Sequence, residues 1–206
     1  MREPPTAADR VLKLAHHLGI LRVRDLALHG LHAENLRRLC DRGLLFRTGR
    51  GLYVPADAAA TENRSLAEVA KRMPTGVVCL LSALQFHGLT TQLPFEVWLA
   101  VDRAVDRRTR RSSRERLPVR LVRFSGPAFA FGSEEHPVEG VAVKVYNPAK
   151  TVADCFKFRY KIGLDVALEA LRDCWKQRRA TMDALDEAAS VCRVAKIMRP
   201  YLESVV

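Results

Sequence analysis

Apolar residues recur at helical spacing three times in the first part of the chain, and each run stops at a glycine. A glycine directly after such a run is typical of a helix C-terminus, because glycine adopts the left-handed backbone of the cap without a steric penalty. The pattern predicts three short helices, over residues 6–18, 23–29 and 32–42.

Two short apolar runs follow the third predicted helix, with a glycine-containing turn between them. Leu-Leu-Phe-Arg occupies residues 44–47, Thr-Gly-Arg-Gly occupies 48–51, and Leu-Tyr-Val-Pro occupies 52–55. This order predicts a β-hairpin. Three short helices and a hairpin together predict a winged helix-turn-helix over residues 1–56, with the third helix placed for the DNA major groove and the hairpin as its wing.

The rest of the chain combines strand-forming and helix-forming segments. Small residues at 56–61 predict a linker, and a second domain is then expected over residues 62–206. At 119–124, the alternation places Val119, Leu121 and Phe124 opposite Arg120 and Arg123. We therefore predict an α+β protein, an N-terminal winged helix-turn-helix followed by a domain with a small β-sheet and several helices. Predicted strands are 97–101, 119–124 and 141–146, and predicted helices are 66–73, 80–87, 148–160 and most of the chain from 165.

The charge balance is strongly basic. The 206 residues contain 34 Lys and Arg against 23 Asp and Glu, a formal net charge of +11. This surplus favours a polyanionic partner, with nucleic acid ahead of an anionic membrane surface. No apolar run reaches the roughly 18 residues of a spanning helix, and no apolar signal-peptide stretch follows the N-terminus. We expect a cytoplasmic protein with no membrane partner.

Motifs of catalysis and cofactor binding are not evident in the sequence. The five cysteines are widely spaced and are predicted to be reduced core residues. Gly132 and Ser133 resemble the start of a nucleotidyltransferase motif, but no Asp-x-Asp follows them. The expectation is a protein that is not an enzyme, with no catalytic residues, no metal and no cofactor.

The predicted third helix and wing carry the candidate DNA contacts. Arginine can donate two hydrogen bonds to guanine, and asparagine can pair in the same way with adenine. Arginines beside the glycines of the wing can approach phosphates. The alternatives are a solvated helix face and charges that keep an edge strand soluble. The candidates are His32, Asn35, Arg37 and Arg38 in the helix and Arg47 and Arg50 in the wing.

A second basic segment lies between residues 103 and 123, where nine arginines stand against two acids. Such a block is typical of a solvated loop, and the alternative is contact with nucleic-acid phosphates. The candidates for phosphate contact are Arg107, Arg108, Arg110 and Arg111.

Two longer motifs lie in the predicted second domain, Leu-Leu-Ser-Ala-Leu-Gln-Phe-His-Gly-Leu-Thr-Thr-Gln at 80–92 and Val-Tyr-Asn-Pro-Ala-Lys-Thr-Val-Ala-Asp-Cys-Phe-Lys-Phe-Arg at 145–159. With these motifs and the N-terminal winged helix, the chain resembles the AbiEi family, the antitoxins of type IV toxin-antitoxin systems that act in abortive infection and phage defence. The resemblance implies a repressor of its own operon that binds inverted repeats in the promoter. It also implies that the second domain counters a nucleotidyltransferase-like toxin, with no need for direct contact. Among the members of these matching motifs, we single out Ser82, His87, Lys150, Thr151 and Asp154 as candidate positions of the antitoxin domain.

The residues of these motifs also have a plain structural interpretation. Leu80 and Leu84 are predicted core residues, as is the stripe of Val152, Cys155 and Phe156, whereas Lys150 with Lys157 and Arg159 is expected to add a basic surface. Two further functions stay open at this point. One is a nucleic-acid-modifying enzyme that the winged helix directs to its substrate, and the other is a module that sequesters a protein toxin. Both a monomer and a symmetric dimer are compatible with the sequence.

Overall fold

The computed structural model describes residues 5–58, 62–103 and 118–205. The four candidate phosphate contacts of the second basic segment, Arg107, Arg108, Arg110 and Arg111, lie outside the described residues, as does part of the predicted linker.

The N-terminal part has the helix and strand order of a winged helix-turn-helix, which confirms the predicted fold class. A short strand between the first two helices was not predicted: Leu21 pairs with Tyr53 of the hairpin and completes a three-stranded antiparallel sheet of order β1-β3-β2. The elements are α1 Ala7–Leu18, β1 Leu21–Arg22, α2 Val23–Leu28, α3 Glu34–Asp41, β2 Leu45–Gly49 and β3 Leu52–Pro55.

Local sequence accounts for the boundaries of α1. Thr6 accepts a hydrogen bond from the Asp9 backbone N–H, and the Asp9 carboxylate accepts one from the Thr6 N–H, which forms a capping box. Gly19 follows the helix at φ 65° and ψ −58°, and the Ile20 N–H donates to the Leu18 carbonyl oxygen at 2.7 Å, a tight γ-turn that ends the helix and that glycine tolerates. The apolar faces of the three helices meet in one cluster that contains Val11, Leu26 and Leu36.

The second part is a five-stranded mixed sheet of order β6-β5-β4-β8-β7 with helices on it. The β5–β6 and β4–β8 pairs are parallel, and the β4–β5 and β7–β8 pairs are antiparallel. The strands are β4 Val77–Val78, β5 Val97–Asp102, β6 Val119–Phe124, β7 Ser133–Val138 and β8 Val141–Tyr146. The helices are α4 Arg64–Arg72, α5 Leu80–His87, α6 Pro127–Ala130, α7 Pro148–Lys157, α8 Arg159–Ile162, α9 Leu164–Lys176, α10 Met182–Val191 and α11 Ala195–Val205.

Both faces of this sheet are buried. Trp98 and Ala100 belong to a core cluster with residues of α7, α9, α10 and α11, whereas Leu99 and Val101 belong to a second cluster with residues of α4. The predicted alternation in β6 is therefore wrong at Phe124, which lies in the first cluster, while Leu121 packs against the second. A strand that is buried on both faces has apolar residues at both parities, so alternation alone does not assign its faces.

Two further differences concern elements that the sequence pattern does not separate. The segment of β7, Ser-Glu-Glu-His-Pro-Val, is mostly polar, but it pairs with β8 along its whole length at the edge of the sheet, where Pro137 is tolerated. The long helical region from residue 165 consists of α9, α10 and α11, and the Thr181 hydroxyl caps α10 by accepting a hydrogen bond from Ala184 N–H.

The winged helix packs against the second part through apolar and ionic contacts. Ile20, Leu52 and Val54 belong to the cluster that also contains residues of α4, β7 and β8. Lys71 of α4 forms an ion pair with Asp25 of α2 at 3.7 Å, and both side chains are largely buried. The hairpin thus shares a hydrophobic cluster with the second sheet. The division into domains at residues 1–56 and 62–206 remains a prediction.

Candidate nucleic-acid interface

The outward face of α3 carries the two candidate base-reading arginines. Leu36 and Leu39 are buried beneath it. The Arg37 side chain is 77% exposed and its Nε lies 3.9 Å from Asp41 Oδ2, and Arg38 makes an equivalent contact of 3.9 Å with Glu34 Oε1. Such exposed pairs, four residues apart, contribute little stability, so both guanidinium groups can exchange a carboxylate for a nucleic-acid acceptor.

The other two candidates on the third helix lie differently. His32 is exposed in the turn before α3. The half-buried Asn35 donates a hydrogen bond from Nδ2 to the His32 carbonyl oxygen at 3.2 Å and lines a recess next to Thr6 and Ala7 of α1. A contact between Asn35 and adenine therefore requires the loss of this local bond, whereas the two arginines need only turn away from their carboxylate partners.

The two wing arginines lie on different sides of the hairpin. Arg47 donates from Nε to the Gly49 carbonyl oxygen at 3.2 Å and lies near Cys40 of α3. The pKa of the Cys40 thiol is raised, mainly by burial, and the charge of Arg47 opposes this shift. Arg50, at the tip of the turn, lies by contrast beside the start of α2. Arg47 thus extends the α3 face, and Arg50 belongs to a separate cluster.

That cluster is formed by Arg22, Arg24, Arg50 and Arg72 around a recess of about 390 Å³, which we call the arginine recess. Burial lowers the pKa of the Arg22 guanidinium; the charges of Arg24 and Arg72 act in the same direction, and the nearby Asp25 carboxylate opposes them. No carboxylate is among the described residues that line the recess. An anion placed there would relieve the repulsion between the guanidinium groups, so the recess is suited to a phosphate.

Arg72 shows how the second part completes this site. Its guanidinium packs on Gly49, where a Cβ atom would collide with Nη2, and Nε and Nη2 are buried without a hydrogen-bond partner among the described residues. The sequence analysis missed Arg22 and Arg24, which lie at the start of a helix that it predicted, and Arg72, which lies beyond the predicted linker. A local basic pattern could have indicated the first two, but only the packing of α4 on the wing brings Arg72 to them.

The five motif positions singled out from the sequence are all buried in the second part: Ser82, His87, Lys150, Thr151 and Asp154. The Tyr146 carbonyl oxygen accepts hydrogen bonds from His87 Nε2 at 2.7 Å and from Thr151 Oγ1 at 3.0 Å. Ser82 Oγ accepts a hydrogen bond from the Trp98 N–H at 3.0 Å. These three motif residues therefore tie α5, α7, β5 and β8 together.

Lys150 and Asp154 form a direct ion pair inside α7, and both side chains are 0% exposed. The expectation that Lys150 adds to a basic surface is therefore wrong, because one turn of helix brings the two charges together beneath the sheet. Lys150 Nζ lies 4.2 Å from the ring centre of Tyr146, and Cys192 Sγ donates to Asp154 Oδ1 at 3.3 Å. Burial raises the pKa of the Asp154 carboxyl, which Lys150 and the Cys192 thiol counteract.

These motif residues are held in protonation states that suit their buried hydrogen bonds. Burial lowers the pKa of His87, so its neutral form donates to the Tyr146 carbonyl oxygen, and burial raises the pKa of Cys192 to about 12, so it stays a thiol. All five cysteines are free, and no group of three or more possible metal ligands occurs in the part of the chain that the structure describes. Across those same described ranges, no helix has the length and apolar character needed to span a membrane.

The order of helices and strands in the N-terminal part is that of a winged-helix protein, with the exposed Arg37 and Arg38 on its third helix. Residues 9–56 match the family model described as "Transcriptional regulator, AbiEi antitoxin". No curated protein matches the chain. The match covers the winged helix and confirms the resemblance to the AbiEi antitoxin family, whose description is that of a regulator. The two motifs at 80–92 and 145–159 lie outside the matched residues.

Proposed function

We propose that the protein is the antitoxin and autorepressor of a type IV toxin-antitoxin operon. The winged helix binds inverted repeats in its own promoter, and residues 62–206 counter a nucleotidyltransferase-like toxin without the need for direct contact. The observation that carries the proposal is the pair of exposed arginines on α3, Arg37 and Arg38, inside the segment that matches the regulator family.

In this proposal, the two arginines of α3 read base edges in the major groove and the surrounding groups hold phosphates. Arg37 and Arg38 exchange their weak carboxylate contacts for guanine O6 and N7. Arg47 and the arginine recess bind the backbone on either side, and the recess adds Arg22, Arg24 and Arg72 to the wing. His32 and Asn35 are secondary base contacts.

The second part acts in countering the toxin, and we propose no catalytic step for it. The five motif positions Ser82, His87, Lys150, Thr151 and Asp154 are buried and hydrogen bonded, which supports a role in holding the fold rather than in attacking a substrate. The proposed setting is the cytoplasm, in a system of abortive infection against phage.

The direct test measures the binding of the purified protein to fluorescein-labelled duplex from its own upstream region and to a scrambled duplex. Anisotropy is followed across a salt series. We expect selective binding with a log-log salt slope of about −0.9 for each phosphate contact. Arg37→Ala should cost about 1–3 kcal/mol on the operator and relax selectivity, because it removes a base contact. Arg24→Ala should weaken both duplexes alike and make the slope less steep by about 1.

Arg199→Ala is the matched control. Arg199 is an exposed arginine of α11 that is paired with Glu203 four residues on, as Arg37 is with Asp41, but it lies far along the chain from the winged helix. The control removes the same charge and should leave operator affinity within about twofold. Equal losses in Arg37→Ala and Arg199→Ala would mean that only net charge matters, and the proposed base contact would then be abandoned.

The antitoxin role is tested separately by co-expression with the toxin of the same operon. Wild-type protein should restore growth and repress a promoter reporter. The Arg37→Ala, Arg38→Ala double variant should lose repression and still restore growth from an inducible promoter, because the two roles belong to different parts of the chain. Loss of growth protection in this folded variant would contradict the assignment of toxin neutralisation to residues 62–206.

A further inference from the structure

A pocket of about 380 Å³ lies at the end of β6, and the charged side chains among the described residues that line it are all cationic. Arg123, Lys157 and Arg193 come from β6, α7 and the turn after α10. No carboxylate is among the described residues that line it, and Pro127 and Val191 add an apolar wall. The volume is within the range of pockets that bind small organic ligands.

Arg193, which lines this pocket, has a disfavoured backbone conformation. Its φ is +60°, and the Val194 N–H donates to the Ala189 carbonyl oxygen at 2.8 Å, as in the turn that usually ends a helix with glycine. Any L side chain is disfavoured in this conformation. Arg193 lines the cationic pocket from this disfavoured backbone, so glycine at this position would remove the charge without disturbing the turn.

The buried Lys150–Asp154 ion pair contacts residues next to those that line this pocket. Asp154 Oδ1 accepts a hydrogen bond from Cys192, the residue directly before Arg193, and Lys157 follows Asp154 by one turn of α7. Lys150 Nζ lies 4.7 Å from the ring centre of Phe124, the neighbour of Arg123 on β6. The ion pair belongs to α7 and contacts both β6 and the turn after α10, so it touches each element that supplies a cation. We infer that it holds these three cations in position.

We propose that this pocket binds a phosphate-bearing ligand of nucleotide size, with the phosphate among Arg123, Lys157 and Arg193 and the organic part against the apolar wall. Arginine and lysine together provide charge-assisted hydrogen bonds to several phosphate oxygens. The occupant is a free nucleoside phosphate, and the phosphorylated end of a nucleic-acid strand is the other source of the same chemistry. This site is independent of the proposed operator contacts.

Isothermal titration at low salt tests the proposal with three probes, ATP, inorganic pyrophosphate and a single-stranded 5′-phosphorylated DNA octamer. The key variant is Arg193→Gly, which removes the charge and relieves the backbone strain, so the fold is retained. Its matched control is Arg178→Gly at the end of α9, where Arg178 has φ +53° and the Arg179 N–H donates to the Cys174 carbonyl oxygen at 2.9 Å in the same type of turn. Arg178 does not line the pocket.

Saturable binding is expected for the wild type, with a loss of about 10- to 100-fold in Arg193→Gly and a change within about twofold in Arg178→Gly. Thermal melting should show that neither variant is less stable than the wild type. Binding of ATP and pyrophosphate supports the free nucleotide, and binding of the octamer alone assigns the phosphate to a strand end. The absence of saturable binding for all three probes, or equal losses in both variants, would overturn the proposal.

Discussion

Lys150→Met is the most informative single change in the second part, because it leaves a buried charge without a partner. Lys150 and Asp154 are both fully buried and are paired with each other. The methionine fills most of the lysine volume and its sulfur can contact the rings of Tyr146 and Phe124, which the ammonium group now approaches. The main effect of the substitution is therefore electrostatic.

The expected loss is large. Removal of one partner from a buried ion pair costs about 3–5 kcal/mol in free energy of unfolding, because the remaining charge has lost its compensation. In a chain of this size, that corresponds to a fall in Tm of about 6–20 °C. The Lys150→Met, Asp154→Leu double variant should recover most of the loss, since an apolar pair of similar volume carries no uncompensated charge.

The pH dependence of this variant has a defined sign. Burial raises the pKa of Asp154, and the substitution removes the charge that opposes this shift. The folded variant then binds a proton that the unfolded chain releases above a pH of about 4, so its stability falls as the pH rises, by up to about 1.4 kcal/mol per pH unit. Lys150→Met should therefore be closer to wild type at pH 5 than at pH 8.

Urea unfolding, followed by circular dichroism at both pH values, measures these differences. The four proteins of the double-mutant cycle are compared in parallel. The reasoning is refuted if Lys150→Met loses less than about 1 kcal/mol at pH 8, or if the double variant is no more stable than Lys150→Met.

Two further predictions concern packing and acid stability. Gly19→Ala should cost about 1–3 kcal/mol more than Gly30→Ala in urea unfolding. Both glycines have positive φ, but only at Gly19 does a Cβ atom collide with the Glu139 backbone of the second part. Equal losses would show that the contact between Gly19 and Glu139 opens freely. Stability should also fall below a pH of about 6.5, because burial lowers the pKa of His87 and the unfolded chain binds the proton first. In His87→Gln this dependence should weaken, and an unchanged slope would assign the acid sensitivity to other groups.

Local patterns were sufficient wherever a few neighbouring residues determine an element. Gly19 ends α1 as predicted, and Asn147 accepts the Lys150 backbone N–H at 2.9 Å ahead of Pro148 to begin α7. Caps and turns of this kind satisfy backbone groups within three or four residues, so their chemistry is readable from adjacent sequence. The order of three helices and a hairpin follows from the same local signals.

Elements that depend on a partner far away in the chain could not be predicted from the neighbouring sequence. The polar strand β7 forms because β8 supplies its hydrogen bonds, and Phe124 faces the opposite side of the sheet from the one predicted, because helices cover both faces. The candidate base contacts Arg37 and Arg38 could be selected from one helix, whereas the arginine recess needs Arg72 from a helix beyond the linker.

The sequence by itself determined the α+β class, the winged helix, the basic surplus and the family resemblance, since each is expressed in composition or in short runs of residues. Only the tertiary structure decided that Lys150 is a buried ion-pair partner rather than a surface charge, and that Arg123, Lys157 and Arg193 surround one pocket. Lys150 and Asp154 are neighbours on one helix, but their burial depends on what packs over that helix. The three pocket cations are more than 30 positions apart, and they come within reach of one ligand only when the chain packs.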